Sequence, residues 1–120
     1  MNRTVLVVED DPWTRDVLEL ALESEGYGVE LAVDGLDALD RLEAGRPSLI
    51  VLDLMMPHMN GFEFAEQLRL RGHRPGIPIL VLTAAGRAGL KAETIGADGY
   101  LEKPFDVPTL LDEVARLAAA

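Results

Sequence analysis

The chain has 120 residues, of which 48% are hydrophobic, and a mean hydropathy of +0.12, so we expect one domain with a single core over residues 1–120. The formal net charge of −10 argues against direct nucleic-acid binding, and the absence of cysteine excludes disulfides and thiolate metal sites. No apolar run approaches the roughly 18 residues that span a membrane, and we therefore expect a cytoplasmic protein without membrane contact.

The first predicted strand, residues 5–8, runs directly into three acids at residues 9–11. An uninterrupted apolar run is typical of a strand that is buried on both faces of a parallel sheet. Asp11 followed by Pro12 indicates a helix N-cap with proline at the first helical position, and Gly26 ends this helix. Its buried stripe is predicted to contain Trp13, Val17, Leu20 and Ala21.

Strands and helices then alternate along the rest of the chain. We predict the remaining strands over residues 28–32, 49–52, 79–82 and 99–102, and helices over residues 35–44, 61–71, 87–95 and 107–117. The predicted helical core positions are Leu36, Leu39, Leu42, Phe64, Ala65, Leu68, Val107, Leu110, Leu111, Val114 and Leu117. Asn60 and Asp106 are predicted caps. This order indicates an α/β fold, a five-stranded parallel sheet with five helices on its two faces.

Polar residues follow the apolar runs where each strand ends, and in such a sheet these ends form the ligand crevice. Glu9, Asp10 and Asp53 offer only carboxylate oxygens, which suit Mg2+, or Mn2+, better than zinc. Thr83 and Lys103 end two further strands and could supply a hydroxyl and an ammonium to a phosphoryl group. Asp53 is the best candidate nucleophile, and the product would be an aspartyl phosphate.

Four segments, VVEDDP, IVLDLMMPHMNG, VLTA and GADGYLEKPF, stand in the order and spacing of one family. Together they resemble the receiver domain of two-component response regulators. The resemblance implies a doubly wound, flavodoxin-like sheet of strand order 2-1-3-4-5. It also implies that the domain catalyses only its own phosphorylation and dephosphorylation and is not otherwise an enzyme.

The same resemblance implies roles for individual residues. Asp53 would be the phosphoacceptor, with Mg2+ held directly by Asp10 and Asp53, through water by Glu9, and by the backbone carbonyl of Met55. Thr83 and Lys103 match the residues that contact the phosphoryl group, and Thr83 with Tyr100 matches the switch pair. The bond between Lys103 and Pro104 is expected to be cis.

The resemblance also implies partners. These are a histidine kinase or phosphotransfer protein as donor, and a downstream effector or fused output domain as receiver of the signal. The domain would be a monomer that can dimerise on phosphorylation.

Other functions stay open at this point. A Mg2+-dependent phosphohydrolase with an aspartyl phosphate would want a second acid where Met55 stands, and the acids at residues 9–11 would repel the phosphate of a flavin. Within the signalling interpretation, the domain could stand alone or be an N-terminal receiver cut from a longer DNA-binding regulator.

Two features depart from the common receiver pattern. Thr83 and Lys103 are 20 positions apart, about two fewer than expected, and the missing residues fall near the predicted helix at residues 87–95. The family signals or dimerises through this region, so the resemblance does not determine the partners of this chain. Met55 and Ala85 lie two residues beyond Asp53 and Thr83, flanking the route by which water would attack the phosphoryl group. Neither side chain can orient that water, so we hypothesise slow autodephosphorylation. His58 and His73 lie in predicted loops and are assigned no role.

Overall fold

The computed structural model describes residues 3–56, 59–72, 77–84 and 95–118. The predicted helix at residues 87–95 lies outside this part except for its last residue, as do His58, His73 and Ala85. The elements, in chain order, are β1 (Thr4–Val8), α1 (Pro12–Ser24), β2 (Gly28–Ala32), α2 (Gly35–Ala44), β3 (Leu49–Asp53), α3 (Gly61–Leu70), β4 (Ile79–Ala84), β5 (Gly99–Lys103) and α4 (Val107–Ala118).

The five strands form one parallel sheet in the order β2-β1-β3-β4-β5, which confirms the predicted fold class. The uninterrupted apolar runs are the three inner strands, β1, β3 and β4, because only these have neighbours on both sides and helices on both faces. The strands end in register, since Val8 pairs with Leu52 and Asp53 with Leu82. The residues that follow the inner strands therefore meet at one edge.

The core lies in two layers because successive residues of a strand point to opposite faces. Leu6 and Val8 of β1 pack with side chains of α2 and α3, such as Leu39 and Phe64. Val5 and Val7 face the other layer, where the cluster includes residues of α1 and α4. Each helix thus buries its apolar stripe on one side of the sheet.

The predicted stripe of α1 is wrong. Leu18 and Leu22 are fully buried, whereas Trp13 and Leu20 are 74% and 70% exposed. The helix carries two apolar stripes offset by about half a turn, and periodicity alone does not say which faces the sheet. Packing against β1, β2 and α4 selects the stripe of Leu18 and Leu22. In α2, Leu39 and Leu42 are buried as predicted, but Leu36 is half exposed.

The helix ends follow the predicted capping. The Asp11 carboxylate accepts hydrogen bonds from the hydroxyl and amide of Thr14, which hold the pKa of Asp11 below its ordinary value. Asn60 and Glu63 form a reciprocal capping box at the start of α3. Asp106 accepts from the amide of Thr109 at 2.7 Å. The bond between Lys103 and Pro104 is cis, as predicted.

Among the described residues, no helix has the length and apolarity needed to cross a membrane.

Candidate functional site

The carboxyl ends of β1 and β3 bring together the three predicted acids. One carboxylate oxygen from each of Glu9, Asp10 and Asp53 lies within 4.8 Å of the other two. Glu9 is fully buried and Asp53 is 4% exposed, while Asp10 is more accessible. Carboxylates this close repel each other strongly when buried, unless cations lie among them.

Lys103 supplies one such cation. Its Nζ donates a hydrogen bond to Glu9 Oε1 at 2.8 Å and lies 3.5 Å from Asp53 Oδ2. Lys103 ends β5, two strands away from β3, so only a long side chain reaches the acids. Burial by itself lowers the pKa of Lys103, but the Glu9 hydrogen bond and the charge of Asp53 hold it above its ordinary value. Lys103 is therefore a fixed positive charge beside Asp53.

The carboxylates of the site outnumber its positively charged groups. Burial, followed by the hydrogen bond and negative charge of Glu9, raises the pKa of Asp53 to about 7. The Met55 amide, which donates to Asp53 Oδ1 at 3.1 Å, and the Lys103 ammonium act in the opposite direction. Three carboxylates against one ammonium would leave an excess of two negative charges if all ionised. A divalent cation matches that excess, and the all-oxygen donor set suits a hard ion.

Thr83 adds a hydroxyl that lacks a partner. It lies near the end of β4, is fully buried, and its Oγ1 accepts or donates no hydrogen bond to any described residue. A buried hydroxyl without a partner costs about 1–3 kcal/mol, so an acceptor or donor supplied by a bound molecule would stabilise it. The structure thus places Thr83 as an unsatisfied polar group at the crevice edge.

Two residues of the site have no assigned role in the sequence analysis. Gly61 lies at the start of α3, where an added Cβ would stand 2.6 Å from Leu54 Cδ2 and 2.8 Å from Leu54 Cα. Arg15 of α1 reaches back to the loop after β1, where its Nη1 donates to the carbonyl oxygens of Glu9 and Asp10. Neither contact has a local sequence signal, although Gly61 belongs to the MMPHMNG segment.

Tyr100, the second predicted switch residue, lies on the edge strand of the sheet. It lies on β5 opposite Val81 and is 48% exposed. Its ring is therefore at the surface, three residues before Lys103. The side chain of Met55 is also exposed, whereas its backbone amide contacts Asp53.

An apolar groove of about 500 Å3 borders the site. Trp13 and Val17 of α1 line one part of it, and Lys103, Pro104 and Phe105 line another. Lys103 therefore faces both the acidic cluster and this groove. The groove is thus linked to Asp53 through Lys103, whose ammonium lies 3.5 Å from Asp53 Oδ2.

The sequence matches the family described as response regulator receiver domain over residues 5–115. It is 46% identical over 122 residues to response regulator MprA of Mycobacterium bovis, an alignment that covers 98% of this chain and 51% of MprA. The chain thus spans about half the length of the curated relatives it matches.

Two solved structures show the same fold. Chemotaxis protein CheY4 of Vibrio cholerae has a TM-score of 0.89 at 36% identity, with 98% of this chain and 99% of that chain covered. The receiver domain of sensor histidine kinase PA1611 from Pseudomonas aeruginosa, described with a magnesium ion in its active site cleft, has a TM-score of 0.88 at 31% identity with full coverage of both chains.

Proposed function

The chain belongs to the response regulator receiver domain family, which serves two-component phosphorelay signal transduction, and from this premise we propose that Asp53 is its phosphoacceptor. The observation that carries the proposal is that the carboxylates of Glu9 and Asp10 and the Lys103 ammonium lie around Asp53, with the unpartnered Thr83 hydroxyl at the end of the neighbouring strand. A purely structural ion pair would not require an unpartnered hydroxyl at Thr83.

In the proposed step, an ionised oxygen of Asp53 attacks the phosphorus of a phosphohistidine. An O–P bond to Asp53 forms as the P–N bond breaks, and the electron pair of that bond returns to the imidazole. Lys103 stays protonated and, at 3.5 Å from Asp53, is placed to pair with a phosphoryl oxygen. For this it would exchange part of its contact with Glu9.

We propose that Mg2+ is held by Glu9, Asp10, Asp53 and the Met55 carbonyl. The oxygen donors and the excess negative charge of the cluster support this, and so does the magnesium ion described in the related Pseudomonas receiver. When bound, the ion would offset the charge that develops on the phosphoryl oxygens. Mn2+ has the same donor preference.

The switch residues follow from the same step. A phosphoryl group on Asp53 would offer the Thr83 hydroxyl its missing acceptor, and a shift of Thr83 would be transmitted to its neighbour strand β5. Tyr100 lies on that strand, and its side chain is half exposed. We propose that the two residues bias two arrangements of the β4–β5 surface, which a downstream effector or output domain would distinguish.

The phosphodonor is proposed to be a histidine kinase or phosphotransfer protein that docks on the exposed stripe of α1. Trp13 and Leu20 are the most exposed large apolar side chains of that helix, and Trp13 also lines the groove beside Lys103. Replacing both by serine should leave phosphorylation by acetyl phosphate unchanged. Transfer from a phosphorylated histidine phosphotransfer domain should slow about tenfold or more, and equal rates with both donors would contradict the docking role.

A second candidate concerns the whole protein. Because the chain spans only half of the MprA relatives, this domain is proposed to act as the receiver part of a longer regulator whose other part carries the output. A stand-alone receiver of the chemotaxis kind is the alternative, supported by the nearly full coverage of CheY4.

The test of the phosphoacceptor is intact mass after incubation with acetyl phosphate, with and without Mg2+. We expect one phosphoryl adduct on the wild type in Mg2+, and none on Asp53→Asn. Asp40→Asn, the same chemical change on the exposed face of α2, is the matched control and should keep the adduct. An adduct that persists in Asp53→Asn would show that another residue accepts the group.

A further inference from the structure

The guanidinium of Arg15 is bonded to the backbone of the acidic loop rather than to its carboxylates. Arg15 lies in the first turns of α1 and is half-buried. Its Nη1 lies 2.9 Å from the carbonyl oxygen of Glu9 and 3.1 Å from that of Asp10. We propose that Arg15 is a positioning residue for the metal site, because it holds the peptide groups from which Glu9 and Asp10 present their carboxylates.

These carbonyls need such a partner because they lie just beyond the end of β1. The amide of Glu9 still bonds to Ala32 of β2, so the ladder ends at this residue. The next carbonyl, that of Asp11, accepts the backbone amide of Arg15 at 2.9 Å. Three successive carbonyl oxygens of the loop are thus bound by one residue, two by its side chain and one by its main chain.

Fixing the peptide groups fixes the directions in which the side chains leave the loop. Consecutive carboxylates repel each other, and an unrestrained loop would relax by turning them apart. Instead, Glu9 stays fully buried, with Oε2 accepting the Asp11 amide at 3.2 Å and Oε1 accepting Lys103. The donor atoms of Glu9 and Asp10 consequently lie within 4.8 Å of a carboxylate oxygen of Asp53.

Arginine suits this role because its guanidinium stays protonated at all ordinary pH values and presents donors in a rigid plane. Its charge is spread over the group, and a carbonyl oxygen cannot neutralise it. A lysine would keep the charge, but its single ammonium on a flexible stem would hold two carbonyl oxygens less firmly.

A purely electrostatic role for Arg15 makes the opposite prediction. A positive charge near a cation site repels the cation, so its removal should tighten Mg2+ binding. Loss of positioning should instead weaken binding, because residues that orient metal ligands typically contribute 10- to 100-fold in affinity. The sign of the change therefore separates the two roles.

The experiment measures the Kd of Mg2+ from the rise of Tm with MgCl2 concentration, for the wild type, Arg15→Met and Arg69→Met. Arg69 bonds to Glu66 on its own helix α3, so its variant makes the same change of net charge away from the site. We expect Arg15→Met to raise the Kd about tenfold relative to Arg69→Met. An equal or lower Kd would overturn the proposal.

Arg15→Lys keeps the charge and covers the case in which Arg15→Met does not fold. We expect a Kd clearly above that of the wild type, and a wild-type Kd would show that a point charge is sufficient and overturn the proposal. The inference rests on the proposed Mg2+ site. A wild type whose Tm does not respond to Mg2+ would overturn both, whereas equal Kd values in Arg15→Met and Arg69→Met would overturn the inference alone.

Discussion

At the scale of single residues, the site is set by burial and by a few close contacts. Asp53 is buried beside Glu9, and both carboxylates lie close to the Lys103 ammonium. The carboxylate that is proposed to react is therefore one that the metal-free protein holds partly protonated near neutral pH, since its pKa is raised to about 7.

This pKa predicts how stability depends on pH in the metal-free protein. Between the ordinary pKa of 3.8 and about 7, the folded state binds more protons than the unfolded state, so ionisation of Asp53 lowers stability as pH rises through this window. In EDTA at pH 8, Asp53→Asn should raise Tm by roughly 5 °C, which corresponds to about 1 kcal/mol in a domain of this size.

At pH 4 the Tm difference between Asp53→Asn and the wild type should nearly vanish, because Asp53 is then protonated in the folded state. The exposed control Asp40→Asn should show no such dependence in thermal melts. A Tm gain for Asp53→Asn that is the same at pH 4 and pH 8 would contradict the raised pKa.

Gly61 gives a second prediction at this scale. Alanine favours helices more than glycine does, so propensity alone predicts that Gly61→Ala stabilises α3. The structure predicts the opposite, because the new Cβ would stand 2.8 Å from Leu54 Cα and 3.1 Å from the Asp53 carbonyl oxygen. We expect a loss of about 1–3 kcal/mol in urea unfolding, together with slower phosphorylation.

Gly45→Ala is the matched control for Gly61→Ala. Gly45 follows α2 with an extended backbone that any residue adopts, and no atom lies within 4 Å of its added Cβ. Its unfolding free energy should stay within about 0.5 kcal/mol of the wild type. If both variants lost the same stability, the contact of Gly61 with Leu54 would not be the cause.

At the scale of elements, α1 shows how packing chooses between two stripes. The helix begins at a cap that the sequence predicts, but its buried residues are Leu18 and Leu22 instead of Trp13 and Leu20. Trp13 and Leu20 remain at the surface, and Trp13 also lines the groove beside Lys103.

Paired leucine variants test the orientation of α1. Leu18→Ala removes a fully buried side chain and should cost about 2–5 kcal/mol. Leu20→Ala makes the same change on the exposed face of the same helix and should alter stability by no more than about 0.5 kcal/mol. Urea unfolding of both variants gives the comparison, and similar losses would mean that the helix is rotated relative to the described packing.

At the scale of the whole molecule, the inner strands are the most fully paired and buried part of the fold. β1, β3 and β4 are paired on both sides and covered by both core layers, whereas β2 and β5 are the edge strands and are only partly buried. Three site residues, Glu9, Asp53 and Thr83, belong to or directly follow these inner strands. Lys103 and Tyr100 belong to an edge strand, which can move at lower cost.

Amide hydrogen exchange tests this division. Exchange in β1, β3 and β4 should be slowest and require nearly global unfolding, while β2 and β5 should exchange through smaller openings. The expected difference between inner and edge strands is at least tenfold in rate at the same pH and temperature. Uniform protection across all five strands would contradict a mobile β5.

The sequence by itself determined the order of the elements that the structure describes, the parallel sheet and the set of polar residues at the strand ends. It could do so because apolar runs, caps and strand-end acids are local patterns, which can be identified without the tertiary structure. Val5 to Val8 is a buried strand, and Asp11 before Pro12 is a cap. The roles of those polar residues in phosphoryl transfer remain predictions, supported by the geometry.

Only the tertiary structure decided which stripe of α1 is buried, that Lys103 bonds to Glu9 more closely than to Asp53, and that Arg15 binds the loop carbonyls. It also decided that Gly61 fits against Leu54. Each of these depends on a distance across packed elements, to within a few tenths of an ångström. A pattern of residue types along a chain carries periodicity but no such distances, and packing sets them only when the whole sheet and its helices are assembled.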